Sequence, residues 1–176
     1  MGTTTLYFDA VRSRDVAALR KLLREDAAKD AGPAVAALQR AIEHGLDDVV
    51  EVFVTNGVVN VQDDMGSTPV MWAAKVGRDR LVKSFIAAGA SVNAADLSGT
   101  TALIYAAYSQ NLESVKLLLT SGADVTHRNR EGQSALDVAR LRPFTLKIPF
   151  LPRGWGLRRT LRDTPVAKYL RDLVRG

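Results

Sequence analysis

The stretch Asp63-Asp64-Met65-Gly66-Ser67-Thr68-Pro69-Val70-Met71-Trp72-Ala73-Ala74 returns as Asp96-Leu97-Ser98-Gly99-Thr100-Thr101-Ala102-Leu103-Ile104-Tyr105-Ala106-Ala107. It returns once more as Asn129-Arg130-Glu131-Gly132-Gln133-Ser134-Ala135-Leu136-Asp137-Val138-Ala139. The glycines fall at 66, 99 and 132, a period of 33 residues, which marks a chain built from stacked supersecondary units. Each copy reads as a turn running into a helix. Thr68, Thr101 and Ser134 stand where a helix start needs a side-chain oxygen for its unpaired N–H groups. Pro69 follows Thr68 with φ preset and no N–H to leave unpaired.

A second helix follows at the same interval. Leu81 to Asn93 matches Ser114 to Thr126, and Val82, Phe85 and Ile86 recur as Val115, Leu118 and Leu119 at three- and four-residue spacing. That spacing makes one face of each second helix apolar. Gly89 and Gly122 end these helices where a left-handed residue is wanted. The pairs Ala73-Ala74 and Ala106-Ala107 let helices approach closely. One hairpin cannot hide its apolar face alone, so neighbours must stack on it.

This pattern resembles the ankyrin repeat, a turn plus two helices whose first helix opens on T-P-L-H-x-A. The resemblance implies an all-α solenoid of about five helix-turn-helix units with β-turn tips. The signature's histidine is replaced by Met71, Ile104 and Asp137, and Gln110 stands where the preceding unit has Gly77. Two units, 63–95 and 96–128, are clear, and a third starts at 129–141. The unit at about 30–62 is degenerate: Gly45 and Gly57 come one residue late, and Ala41-Ile42 replaces the alanine pair. Residues 5–28 read as a further helix pair forming an N-terminal cap with a charged outer face. The last unit is interrupted. Residues 164–176 open on Thr164-Pro165 and place Val166, Tyr169, Leu170 and Leu173 at helical spacing, so they are expected to supply its second helix after an insertion at 142–163.

With 47% hydrophobic and 24% charged residues, the chain can bury a core and is not a disordered polymer. No cysteine is present, which excludes disulfides, thiolate metal ligands and a cysteine nucleophile and fits a cytoplasmic or nuclear protein. Neither a signal peptide nor a membrane span is expected. Gly2 lacks the Ser or Thr at residue 6 that myristoylation asks for, since Leu6 stands there. No phosphate-binding glycine loop occurs, and Gly154-Trp155-Gly156 lacks the third glycine of a dinucleotide turn. His44 and His127 lie in separate units, and Asp47-Asp48 and Asp63-Asp64 read as helix-start and turn residues. These readings predict no enzyme, no metal and no cofactor.

What remains is binding. In the ankyrin family the turn tips and first helices form a concave surface that binds another protein. Carried over, it comprises Asp64, Met65, Ser67, Leu97, Ser98, Thr100, Arg130, Glu131 and Gln133 at the tips. Lys75, Val76, Tyr108 and Ser109 join at the helix ends, with Glu43 and His44 aligned through the degenerate unit and Trp72 and Tyr105 at the edge. Met65 and Leu97 are apolar at tips, where a covering partner would explain them. Such a module serves as adaptor, scaffold or subunit of a larger complex, and is expected to be monomeric alone. The alternative rests on charge. Residues 142–176 hold nine Lys and Arg against Asp163 and Asp172, about +7, while the rest carries about −2. Phe144, Lys147, Phe150, Arg153, Trp155, Arg158, Arg159 and Arg162 mix aromatic anchors with cations, suited to a protein partner or to RNA, DNA or a ribonucleoprotein, unless the apolar side chains of the insertion fold back to cap the open end of the solenoid and leave only its basic side to a partner.

Overall fold

A computed structural model of the chain describes residues 3–26, 32–141 and 164–175. The insertion at 142–163, with all eight of its candidate binding residues, lies outside the described residues. The described residues form α1 (Thr3–Ser13), α2 (Val16–Asp26), α3 (Gly32–His44), α4 (Asp47–Thr55), α5 (Pro69–Val76), α6 (Asp79–Ala87), α7 (Ala102–Tyr108), α8 (Leu112–Thr120), α9 (Ala135–Leu141) and α10 (Pro165–Arg175). Successive odd-numbered helices pack on one another in one layer, and successive even-numbered helices pack in a second. Each pair closes a hairpin, so the fold is an all-α solenoid. α10 lies against α9 and α8.

The helix starts follow from local chemistry. Thr101 Oγ1 accepts from Ile104 N at 3.5 Å, and Thr164 Oγ1 accepts from Ala167 N at 3.1 Å. Ser134 and Asp137 exchange bonds: Ser134 Oγ accepts from Asp137 N at 3.3 Å while Asp137 Oδ2 accepts from Ser134 N at 3.0 Å. This is a capping box, with aspartate in the place of the signature's histidine. Arg128 donates to the same oxygen at 2.9 Å. The Ser134 hydrogen bonds, with Arg128 adding, hold the Asp137 carboxyl below the usual carboxylate range. In the preceding units Met71 Sδ accepts from Thr68 N at 3.4 Å, whereas Ile104 offers no acceptor.

Between the two helices of each of the first four hairpins the chain turns through a left-handed residue: Arg14 (φ 54), Gly45 (φ 68), Gly77 (φ 73) and Gln110 (φ 57). Gln110 is held there by its own amide. Its Nε2 donates to Ala107 O at 3.1 Å and to Ala139 O at 2.9 Å, the latter a carbonyl of the next unit.

The late glycines of the degenerate unit have a local cause. Gly57-Val58-Val59-Asn60 is one residue shorter than Gly89-Ala90-Ser91-Val92-Asn93, yet both asparagines do the same work. Asn60 Nδ2 donates to Gly89 O at 3.0 Å and its Oδ1 accepts from Ser91 N at 2.8 Å. Asn93 Nδ2 donates to Gly122 O at 2.9 Å and its Oδ1 accepts from Asp124 N at 2.8 Å. Each asparagine thus bridges to the loop of the following unit.

The core runs the length of the stack. Phe53, Phe85 and Leu118 occupy equivalent places in α4, α6 and α8 and are fully buried, as are Ala41, Ala73, Ala74, Ala106 and Ala107 between the odd-numbered helices. Truncating Phe85 or Leu118 to alanine leaves a cavity touching two interfaces and costs about 2–5 kcal/mol. Val166, Ala167 and Leu170 bury one face of α10.

Candidate protein-binding face

The tips repeat one hydrogen-bond scheme. Asp63 Oδ1 accepts from Met65 N at 2.9 Å and Ser67 N at 2.8 Å. Asp96 Oδ1 accepts from Ser98 N at 2.8 Å and Thr100 N at 2.9 Å. Asn129 Oδ1 accepts from Glu131 N at 3.1 Å and Gln133 N at 2.9 Å. A short Asx side chain thereby satisfies two amide groups that the turn leaves unpaired. The glycine of each turn takes positive φ, at 75 for Gly66, 72 for Gly99 and 74 for Gly132.

Tips also bond to one another. Leu97 N donates to Met65 O at 2.9 Å and Arg130 N donates to Ser98 O at 2.9 Å. His127 Nε2 lies 2.8 Å from Gly99 O, so this histidine ties two units together.

Between the tips and the odd-numbered helices lies a pocket of about 350 Å³. Trp72, Lys75 and Val76 come from α5, Tyr105 from α7, Gln39 and Glu43 from α3, and Asp63, Met65, Ser67, Asp96 and Ser98 from the tips. The predicted residues divide by position. Met65 (59% exposed), Leu97 (53%), Tyr108 (42%) and Val76 (41%) stand out from this face. Asp64, Ser98, Arg130, Glu131 and Lys75 are exposed as well, and Thr100, Gln133 and Ser109 are half-buried. Ser67 and Trp72 are buried and form part of the pocket wall. His44 is exposed and lines a neighbouring groove with Phe8, Arg12 and Arg40.

Tyr105 joins the pocket to the turns. Its hydroxyl donates to Asp96 Oδ2 at 2.7 Å, and the Lys75 ammonium sits 5.6 Å over its ring. Burial, with the Asp96 carboxylate adding, pushes the phenol above the usual tyrosine range. Sequence reading treated Asp63 only as a turn residue and did not single out Asp96, although an Asx three residues before each tip glycine was a visible signal. Among the described residues no group of three His, Asp or Glu side chains could hold a metal ion. No helix among them is long and apolar enough to cross a membrane.

Comparison with curated proteins returned no match to the chain. The family model described as Ankyrin repeats (3 copies) matches residues 38–129, the span from within α3 to Asn129 at the start of the last tip. Ankyrin repeats generally mediate protein–protein interaction and are typically non-enzymatic. The period, the stacked hairpins, the bonded turn tips and this match agree: the chain belongs to the ankyrin-repeat family.

Proposed function

We propose that the chain is a non-enzymatic adaptor, scaffold or complex subunit that binds a protein through the face made by its tips and odd-numbered helices. The observation carrying this reading is the grouping of apolar exposure. Met65 and Val76 line the pocket, Leu97 stands on the tip bonded to Met65 and Tyr108 at the end of α7, and among the described residues only Leu6, Leu173 and Val174 are large apolar side chains exposed elsewhere. Clustered exposed apolar groups with a polar rim suit a partner interface. We place the module in cytoplasm or nucleus, with α10 as the second helix of the last unit.

The test is capture of a partner from the source cell by the full chain and by a variant carrying Met65→Glu, Leu97→Glu and Tyr108→Glu. These side chains are exposed, so the unfolding midpoint should hold while capture is lost. Capture undiminished in the variant excludes this face.

A second reading rests on the excess of about seven positive charges at residues 142–176, which would attract RNA or DNA. Deleting residues 142–163 should then abolish a binding that weakens steeply with salt. Nucleic-acid binding indifferent to salt and to this deletion rejects it.

A further inference from the structure

The two best-formed tip turns differ in one respect that bears on what the pocket binds. In the later turn both oxygens of Asp96 are used: Oδ1 holds the turn, and Oδ2 takes the Tyr105 hydroxyl. In the earlier turn Asp63 Oδ1 does the same work, but the place of the tyrosine is taken by Trp72, whose ring has no hydroxyl. Among the described residues nothing donates to Asp63 Oδ2. Glu43, on the same pocket, receives only Gln39 Nε2, at 3.0 Å on Oε1, and makes no ion pair among the described residues. Two carboxylates with open acceptor positions therefore share a pocket with the aromatic Tyr105. Glu43, Asp63 and Asp96 together set three negative charges against Lys75's one.

We infer that this pocket receives an arginine side chain from the protein partner, carried on a segment whose apolar residues cover Met65 and Leu97. The inference rests on the reading of this face as protein-binding. A guanidinium offers five N–H donors in a planar fork, enough for both open carboxylates at once, and its flat face packs on aromatic rings. The pocket already holds a cation of its own, since the Lys75 ammonium lies over Tyr105. Lys75 is exposed on a flexible stem and gives way to an incoming guanidinium. The position of the arginine is fixed by what lies beside it. In the adjoining groove Arg12 and Arg40 outweigh Asp9, and the Arg40 guanidinium stacks 5.0 Å over Phe8. A cation displaced by one unit would meet repulsion there.

The experiment selects random dodecapeptides displayed on phage against the full chain, then measures synthetic versions of the enriched sequences by fluorescence anisotropy. The expected consensus contains one arginine flanked by apolar residues, and replacing that arginine by glutamine weakens binding about tenfold. The double variant Glu43→Gln with Asp63→Asn should weaken the parent peptide by a similar factor and leave the glutamine peptide unaffected. Asn129 makes the same turn with an amide, so Asp63→Asn keeps the tip folded. Lys75→Met should strengthen binding, which a merely structural lysine would not do. Binders without basic enrichment, or binders indifferent to the double variant, overturn the inference. If those binders still fail on the Met65→Glu, Leu97→Glu, Tyr108→Glu chain, the face stands and only the arginine is wrong. A selection that returns no binder at all counts against both.

Discussion

Replacing a tip glycine by alanine separates the strain inside one turn from the contact between turns. Gly99 and Gly132 have nearly the same backbone, with φ of 72 and 74, so alanine suffers the same left-handed penalty of about 1–2 kcal/mol at either place. Their surroundings differ. A Cβ on residue 99 would stand 3.2 Å from Arg130 N and 3.3 Å from Asn129 Cα, whereas at 132 nothing lies within 4 Å. Arg130 N is the donor that joins the two tips, through Ser98 O at 2.9 Å, so the backbone that must yield is the one holding that bond. Weakening it costs about 1 kcal/mol more. Gly132→Ala should therefore lose about 1–2 kcal/mol and Gly99→Ala about 2–3 kcal/mol. Gly66→Ala, whose Cβ would stand 3.3 Å from Leu97 N, should follow Gly99. Urea unfolding of the full chain, followed by circular dichroism at unchanged m, measures the difference. Equal losses at 99 and 132 would refute coupling between tips.

Three further outcomes follow from hydrogen bonds at single side chains. Gln110 combines a left-handed backbone with two amide bonds, so Gln110→Ala, which keeps the strain and drops the bonds, should be less stable than the native chain by about 1 kcal/mol in urea unfolding, and Gln110→Gly, which also relieves the strain, should recover most of that loss; an alanine variant as stable as the native chain would show that the amide contributes nothing. Asp137 has a depressed carboxyl pKa in the folded chain, so its contribution is present above the unfolded value and fades as pH falls through the folded one; Asp137→Ala should cost about 1 kcal/mol near neutrality and flatten the acid limb of stability, and an unchanged acid limb would contradict the capping role. Tyr105 has a raised pKa, so its contribution is present below the unfolded tyrosine value and lost only as pH rises through the folded one; ultraviolet titration should show a late-ionising tyrosine, Tyr105→Phe should remove that late titration, and an unchanged titration curve in the variant would contradict the Asp96 bond.

The helices were legible because their signals are local. Thr68-Pro69, the glycine every 33 residues and the alanine pairs each specify their own few residues of backbone. Glu43 was aligned only loosely, since the residue missing between Gly57 and Asn60 shifts its unit against the period. Gln110 was harder, because glutamine is no ordinary left-handed residue and one of its carbonyl partners lies 29 positions away in the next unit. The open oxygen of Asp63 could not be read from Asp63 at all. It depends on whether the ring nine residues later carries a hydroxyl, a contact that exists only once the turn folds back onto its own helix. Trp72 and Ser67 were expected at a binding surface and lie buried in a pocket wall, Ser67 beside the tip glycine and Trp72 within α5.

Neighbouring units are fastened at two places, by the tip bonds Leu97 N to Met65 O and Arg130 N to Ser98 O and by the bridges of Asn60 and Asn93. A ligand resting on several tips meets a surface whose spacing is already set, so association loses little conformational freedom on this side. Asn93→Ala, which removes a bond between units and no residue of the pocket, should then make the entropy of binding less favourable while leaving the enthalpy of the contacts nearly intact. On the proposed reading, part of the affinity would reside in amide side chains whose bonds join one unit to the next.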